Sequence, residues 1–164
     1  MAMHLMHLRS SARRLALSAA LIGFLVISPS SVAAQDAPFA PISGLWDRHG
    51  FGITVNDDGS ATATWRVYQW CGPGVADPCD RIVNNRIISG GHAEISFAGP
   101  DDSGAFAGEV TDTSDPELLD VGPLTLTPQP YDMAMLEQGD RQLTLCGEDS
   151  ANQAPMDVLI QCGA

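Results

Sequence analysis

The feature that most constrains the fold of this 164-residue chain is a stretch in which apolar and polar side chains alternate with a period of two. In residues 61–70 the apolar members of the alternation are Ala61, Ala63, Trp65 and Val67. Successive side chains of a β-strand point to opposite faces, so this period predicts one long strand with a buried face. The β-prone residues 53–55 and the turn-forming residues 56–60 precede it, which predicts a β-hairpin.

Short alternating segments of the same kind recur along the rest of the chain. They are residues 92–98, 105–113, 122–127, 131–136, 141–146 and 158–160. Residues 80–91 fit neither period and predict a helical turn or a short strand. Turns rich in Gly, Asp and Pro join the segments, and such short connections join antiparallel neighbours. The sequence therefore predicts an all-β domain of seven to nine short strands, either a small antiparallel β-barrel, which successive hairpins favour, or a two-sheet β-sandwich.

Residues 1–34 have the pattern of an export signal rather than of a folded segment. Basic residues precede an apolar run at residues 15–27, and small residues before Gln35 form the predicted cleavage site. The run is short for a membrane span, which favours a cleaved signal over an uncleaved anchor. The sequence then predicts a flexible, proline-bearing lead-in at residues 35–42 and a single β domain at residues 43–164.

The charge of the chain excludes some classes of partner. After the predicted cleavage, five arginines stand against 20 acidic side chains, a formal charge of −15, and the chain contains no lysine. Such an anion repels phosphate backbones and anionic lipid headgroups. We therefore predict no nucleic-acid partner, no membrane insertion after signal cleavage, and an extracellular protein whose retention at the cell wall stays open.

The four cysteines all follow the predicted signal. They are Cys71, Cys79, Cys146 and Cys162. Four cysteines in an oxidising compartment predict two disulfides, for which three pairings are possible. The two sequence-local pairs are favoured, because the glycines and prolines between Cys71 and Cys79 allow a tight loop. No C-x-x-C spacing is present, which disfavours a redox or metal site.

Two groups of polar residues are candidate functional sites. His49, His92 and Glu94, with Asp47 nearby, could form a zinc site or an acid–base pair, but their spacing fits exposed side chains on a polar sheet face equally well. No nucleophile elbow or phosphate-binding loop is present, so we predict no catalytic residue and no cofactor.

The second group is the polar face of the long predicted strand. Arg66, Tyr68 and Trp70 project together from it, and Arg81 follows the disulfide loop. An arginine among aromatic side chains is a common recognition surface. The alternative is that Tyr68 and Trp70 cover the barrel end while Arg66 pairs with an acid.

Two resemblances bear on the class of protein. Gly44, Leu45 and Trp46 resemble the G-x-W signature of lipocalins, which implies a barrel with a cavity for a small apolar ligand. A broader set of residues is similar to small exported actinobacterial proteins of uncharacterised function, which implies export and disulfides and no particular activity. That set is Trp46, His49, Asp58, Gly59, Trp65, Arg66, Cys71, Cys79, Asp80, Asn85, Ile87, Gly90 and Gly91.

The sequence as a whole predicts a secreted non-catalytic binding or interaction protein, of which a small-ligand carrier is one form. Its partner is an unidentified small molecule or extracellular protein. One alternative is an inhibitor that presents the disulfide loop at residues 72–78 to an extracellular enzyme. The other is a hydrolase that depends on His49, His92 and Glu94 or on a metal.

Overall fold

Ten β-strands make up about half of residues 37–163, the part of the chain that this computed structural model describes. The predicted export signal lies outside it. The strands are β1 (Gly44–Arg48), β2 (Phe51–Val55), β3 (Ser60–Trp65), β4 (Arg81–Val83), β5 (Arg86–Ile88), β6 (Gly91–Pro100), β7 (Phe106–Thr113), β8 (Gly122–Gln129), β9 (Met133–Gln138) and β10 (Arg141–Gly147). Eight of them close into an antiparallel barrel in the order β1-β10-β9-β8-β7-β6-β3-β2, and β4 and β5 form a separate two-stranded sheet. The predicted all-β barrel is confirmed.

The barrel closes because the first strand pairs with the last. Trp46 and Asp47 of β1 lie opposite Gly147 and Cys146 of β10. The remaining pairs of barrel neighbours are consecutive in sequence, except β3 and β6. Between those two strands the chain leaves the barrel at residues 66–90, a segment that we call the insertion. Closure leaves no strand edge exposed in the barrel itself.

The barrel interior is filled by the inward faces of the strands. Ala61, Ala63 and Trp65 of β3 are buried as their alternation predicts, and Phe106 on β7 is fully buried. The other buried members of this core include Trp46, Phe51, Ile53, Val55, Ile95, Phe97, Val110, Leu124, Leu126, Leu136 and Leu145. Side chains of this size fill the barrel, so its interior is a packed core rather than a ligand cavity.

One end of the barrel is covered by residues 37–42, the described part of the predicted lead-in. Ile42 is fully buried, and the backbone N–H groups of Ile42 and Ser43 donate to the carbonyl of Phe39 at 2.9 and 2.8 Å. The Phe39 ring lies 6.3 Å from the Phe106 ring and packs against Gly59 in the β2–β3 turn. We call this the closed end.

The C-terminal tail packs on the outer wall of the barrel. The strand predicted at residues 158–160 is wrong, because that part of the tail forms the helical turns α2 (Met156–Leu159) and a 3₁₀ turn (Ile160–Cys162), after α1 (Ser150–Gln153). The Cys146–Cys162 disulfide holds the tail in place, and Val158 and Leu159 pack against the cluster that this disulfide forms with Met133. Among the described residues, no helix has the length and apolarity needed to cross a bilayer.

Candidate functional site

The cationic side chains of the described residues gather at the end of the barrel opposite the closed end. They lie at strand ends or in the loops there, and they are Arg48, His49, Arg66, Arg81, Arg86, His92 and Arg141. Acids lie at both ends of the barrel: Asp57 and Asp101 in turns at the closed end, and Asp120 and Asp140 in the β7–β8 and β9–β10 connections at the opposite end. We call the end that carries the described arginines the arginine end.

The insertion begins where β3 ends, at Trp65. The strand predicted to reach Trp70 is therefore wrong beyond Trp65. The backbone N–H groups of Val67 and Tyr68 donate to the Asp80 carboxylate, at 3.2 and 3.0 Å, instead of to a neighbouring strand. Tyr68 has φ of +58°, which no regular strand allows. The carboxylate therefore turns the chain out of the barrel.

Asp80 is the anchor of the insertion. Its side chain is fully buried and accepts hydrogen bonds from Arg66 Nε at 2.7 Å and from the backbone N–H of Gly90 at 2.9 Å, in addition to the two from Val67 and Tyr68. Its backbone pairs with the chain before the Cys71–Cys79 disulfide, donating to the carbonyl of Gln69 and accepting from the N–H of Cys71. One carboxylate thus joins the start and the end of the insertion.

The surroundings of Asp80 favour its ionised form. Burial acts to raise the pKa of this carboxyl, but the hydrogen bond from Arg66 and the backbone bonds from Gly90, Val67 and Tyr68 outweigh burial and lower the pKa below its ordinary value. The buried charge is therefore compensated by four donors, which is the condition under which a buried ion is stable.

The same ion pair fixes the position of the Arg66 guanidinium. Its central carbon lies 5.0 Å from the centroid of the Tyr68 ring and 5.2 Å from that of Trp70, within the range of cation–π contacts. Both aromatic side chains are exposed, at 64% and 49%. The structure therefore brings together the three residues grouped from the sequence, although through a loop rather than a strand face. It also pairs Arg66 with an acid, as the alternative interpretation expected.

Residues 80–91, ambiguous in sequence, contain the β4–β5 hairpin. Its two-residue turn, Asn84 and Asn85, has φ of +50° and +63°, the conformation of a type I′ turn, which asparagine tolerates. All six strand residues of the hairpin are exposed. Arg81 lies at its base, where it lines a cavity of about 500 Å³ together with Trp70 and another of about 420 Å³ together with His92.

A smaller cavity of about 260 Å³ opens beside the β1–β2 turn. Phe51 and Trp65 form its apolar side, and Arg48, His49 and Arg66 lie at its rim. The Nε1 of Trp65 is buried without a hydrogen-bond partner among residues 37–163 and packs against Gly91. This cavity is below the volume of about 300–1,000 Å³ that is usual for small-molecule sites.

The residues considered for a metal site are not brought together. His49 is exposed in the β1–β2 turn, whereas His92 and Glu94 are exposed on β6. Within residues 37–163, the only group with metal-ligand spacing is Cys71, Asp77 and Cys79. Both cysteines of that group form a disulfide, so neither offers a thiolate.

Asp80 is the functional residue that sequence reasoning missed. Asp80 belongs to the residues that resemble small exported actinobacterial proteins, but no role was predicted for it, because nothing in the local pattern distinguishes a buried acid from an exposed one. The alternative that Arg66 pairs with an acid did not say which of the acids.

Comparison with known proteins assigns no family to this chain. No family model, curated protein or solved structure matches the chain. The resemblances to lipocalins and to small exported actinobacterial proteins therefore remain predictions.

The lowered pKa of Asp80 predicts a loss of stability in acid. Its stabilising effect is complete above the unfolded-state pKa of about 4 and is lost as the pH falls through the lower folded-state pKa. We expect the difference in hydrogen-exchange protection of residues 66–90 between the native chain and Asp80→Asn to shrink between about pH 5 and about pH 2.5. Hydrogen bonds from Ser60 and Ser103 lower the pKa values of Asp58 and Asp101. Both residues are present in the native chain and in the variant, so their titration cancels in the difference. A difference that stays constant with pH would contradict this assignment.

Proposed function

We propose that the chain is a secreted, non-catalytic binding protein that recognises an extracellular protein through its insertion. The observation that carries the proposal is Arg66, held by buried Asp80 and placed beside the exposed rings of Tyr68 and Trp70. Arginine, tyrosine and tryptophan are the residues most enriched at binding hot spots. An arginine already fixed by an ion pair loses little further conformational entropy on binding.

The rigidity of the insertion supports this role. The Cys71–Cys79 disulfide, the Asp80 anchor and the type I′ turn each restrict a different part of residues 66–90. Binding surfaces placed on fixed loops are typical of β-barrel and sandwich proteins. The disulfides also support export, since they persist in oxidising compartments.

The carrier form of the proposal has less support. The barrel interior is filled by large side chains such as Trp46, Trp65 and Phe106, so the cavities of the described residues are open ones on the outside of the barrel. The inhibitor alternative is one specific kind of partner recognition, in which residues 72–77, all exposed within the disulfide loop, would enter an enzyme.

A photo-crosslinking experiment tests the proposal. A photoreactive phenylalanine analogue replaces Tyr68 in the native host, and in a second strain it replaces Tyr131. These are matched sites, because both are exposed tyrosines, at 64% and 47%, with positive φ of 58° and 69°. Tyr131 lies in the β8–β9 turn at the closed end. We expect a discrete crosslinked protein from position 68 that position 131 does not give.

A second substitution connects that adduct to the site. With Trp70→Ala added, we expect the adduct at position 68 to fall at least about tenfold, as truncation of a central aromatic commonly weakens an interface. Identical adducts from both positions, or no adduct at position 68, would contradict partner recognition by the insertion.

A further inference from the structure

The β4–β5 hairpin is an uncovered sheet. Its two strands have no third neighbour among the described residues, and their four aliphatic side chains are exposed. Ile82 and Ile87, directly opposite each other, are 63% and 49% exposed. Two-stranded sheets are marginally stable alone, and an open edge is a site for pairing with another chain.

The two edges of this hairpin differ. The outer edge of β4 is partly occupied, because Asp80 pairs there with residues 69–71. The outer edge of β5 has no such neighbour in the described part of the chain. Val83 and Arg86 flank the two-residue turn as a hydrogen-bonded pair, so the next pair, Ile82 and Ile87, directs its backbone N–H and C=O groups outward. Ile87 therefore presents one free donor and one free acceptor on the open edge.

We propose that the occupant of this edge is a second copy of the chain, with β5 pairing antiparallel to β5 of the partner subunit about a two-fold axis at Ile87. This dimer goes beyond the proposed function. In such a pair, each Ile87 donates to and accepts from the other, which satisfies both free groups. The four isoleucines at positions 82 and 87 then form one row on the same face of a four-stranded sheet.

The charges in the hairpin are compatible with this register. Arg86 lies one residue from the axis, so it stands opposite Ile88 of the partner subunit rather than opposite the partner's Arg86. Antiparallel pairing at Ile87 thus avoids placing like charges directly across from each other.

The charge of the whole molecule also directs self-association to the hairpin. The insertion carries three arginines (Arg66, Arg81, Arg86) and two acids (Asp77, Asp80), whereas the rest of residues 37–163 carries two arginines and 17 acids. Two copies repel each other least where the insertion meets the insertion. The contact is small for an interface, so the dimer is weak, and it would give each assembly two Arg66 clusters and hence avidity for a partner.

Sedimentation equilibrium of the full exported chain tests the dimer. We expect the dimer fraction to rise with protein concentration and also with ionic strength between about 0.05 and about 0.5 M, because salt screens the repulsion of the acidic barrels. Ile87→Glu should weaken the dimer at least tenfold. Val121→Glu is the matched control, because it adds the same charge at an aliphatic residue of similar exposure, 57% against 49%, outside the hairpin.

Disulfide trapping tests the register. At the two-fold axis the Cα atoms of paired residues lie about 5.5 Å apart, within disulfide range, so Ile87→Cys should give a covalent dimer under mild oxidation. The two residues at position 86 lie about 8 Å apart in this register, too far for a disulfide, so Arg86→Cys should stay monomeric. Val121→Cys controls for the added thiol.

The outcomes separate this proposal from the proposed function. A monomer at every concentration and salt, or equal trapping by Ile87→Cys and Arg86→Cys, would overturn the dimer and leave the Tyr68 crosslink unaffected. A dimer that Ile87→Glu and Val121→Glu weaken equally would also overturn it. Loss of the Tyr68 adduct with trapping at Ile87 intact would overturn partner recognition alone.

Discussion

Replacing Asp80 with alanine is expected to release the insertion from the barrel at a cost of about 3 kcal/mol, the lower end of the effect of breaking a buried ion pair. The change leaves Arg66 without its partner and three backbone N–H groups, those of Val67, Tyr68 and Gly90, without an acceptor. The effect lies at the lower end because Arg66 is partly exposed to solvent and can be rehydrated.

Amide hydrogen exchange measures this effect segment by segment. A loss of about 3 kcal/mol corresponds to a fall in protection of about a hundredfold, expected in residues 66–90 and not in β7, β8 or β9. Asp102→Ala removes an exposed carboxylate in the β6–β7 turn and serves as the control. An equal loss of protection in the barrel strands would show that Asp80 supports the whole fold rather than the insertion.

Replacing Phe106 with alanine is expected to destabilise the barrel by about 3–5 kcal/mol, the usual effect of removing a large aromatic side chain from a core. Phe106 is fully buried on β7, and its ring packs with Phe39 of the segment that covers the closed end. The cavity left behind lies between strands that belong to one closed ring, so the loss is shared by all eight.

Urea unfolding followed by tryptophan fluorescence measures the Phe106 effect. The midpoint should fall with an unchanged slope, which indicates that the surface exposed on unfolding is the same. Leu45→Ala, at an exposed position of β1, is the control and should change stability by less than about 0.5 kcal/mol. In contrast to Asp80→Ala, Phe106→Ala should lower hydrogen-exchange protection in the barrel strands. A loss confined to the closed-end turns would contradict a shared core.

The sequence predicted that three members of the candidate site lie together, but it did not predict what holds them. Arg66, Tyr68 and Trp70 do lie together, yet the period of two suggested that a strand face would hold them. The strand stops at Trp65 because Asp80, fourteen residues from Arg66, accepts the hydrogen bonds that a neighbouring strand would have accepted. Local periodicity contains no information about a carboxylate that arrives from a later part of the chain.

The hairpin and the tail show the same limit. Residues 80–91 lacked a clear period because all six strand residues of β4 and β5 are exposed, so no buried face selected apolar residues at every second position. The tail residues 158–160 were predicted as a strand from three aliphatic side chains, but they form helical turns in which Val158 and Leu159 pack against the cluster of Met133, Cys146 and Cys162. Pairing and packing partners decided both outcomes.

The sequence by itself determined the all-β class and the buried faces of the alternating strands, and it favoured the two local disulfides over the other pairings. Alternation follows directly from the pleat, so Ala63, Trp65, Ile95 and Phe106 could be assigned to the interior without knowing their neighbours. Only the tertiary structure decided that β1 meets β10, that residues 66–90 leave the barrel, and that the cations collect at one end. These features depend on pairs of residues far apart in sequence, such as Trp46 and Gly147, whose contacts form only when the whole ring closes.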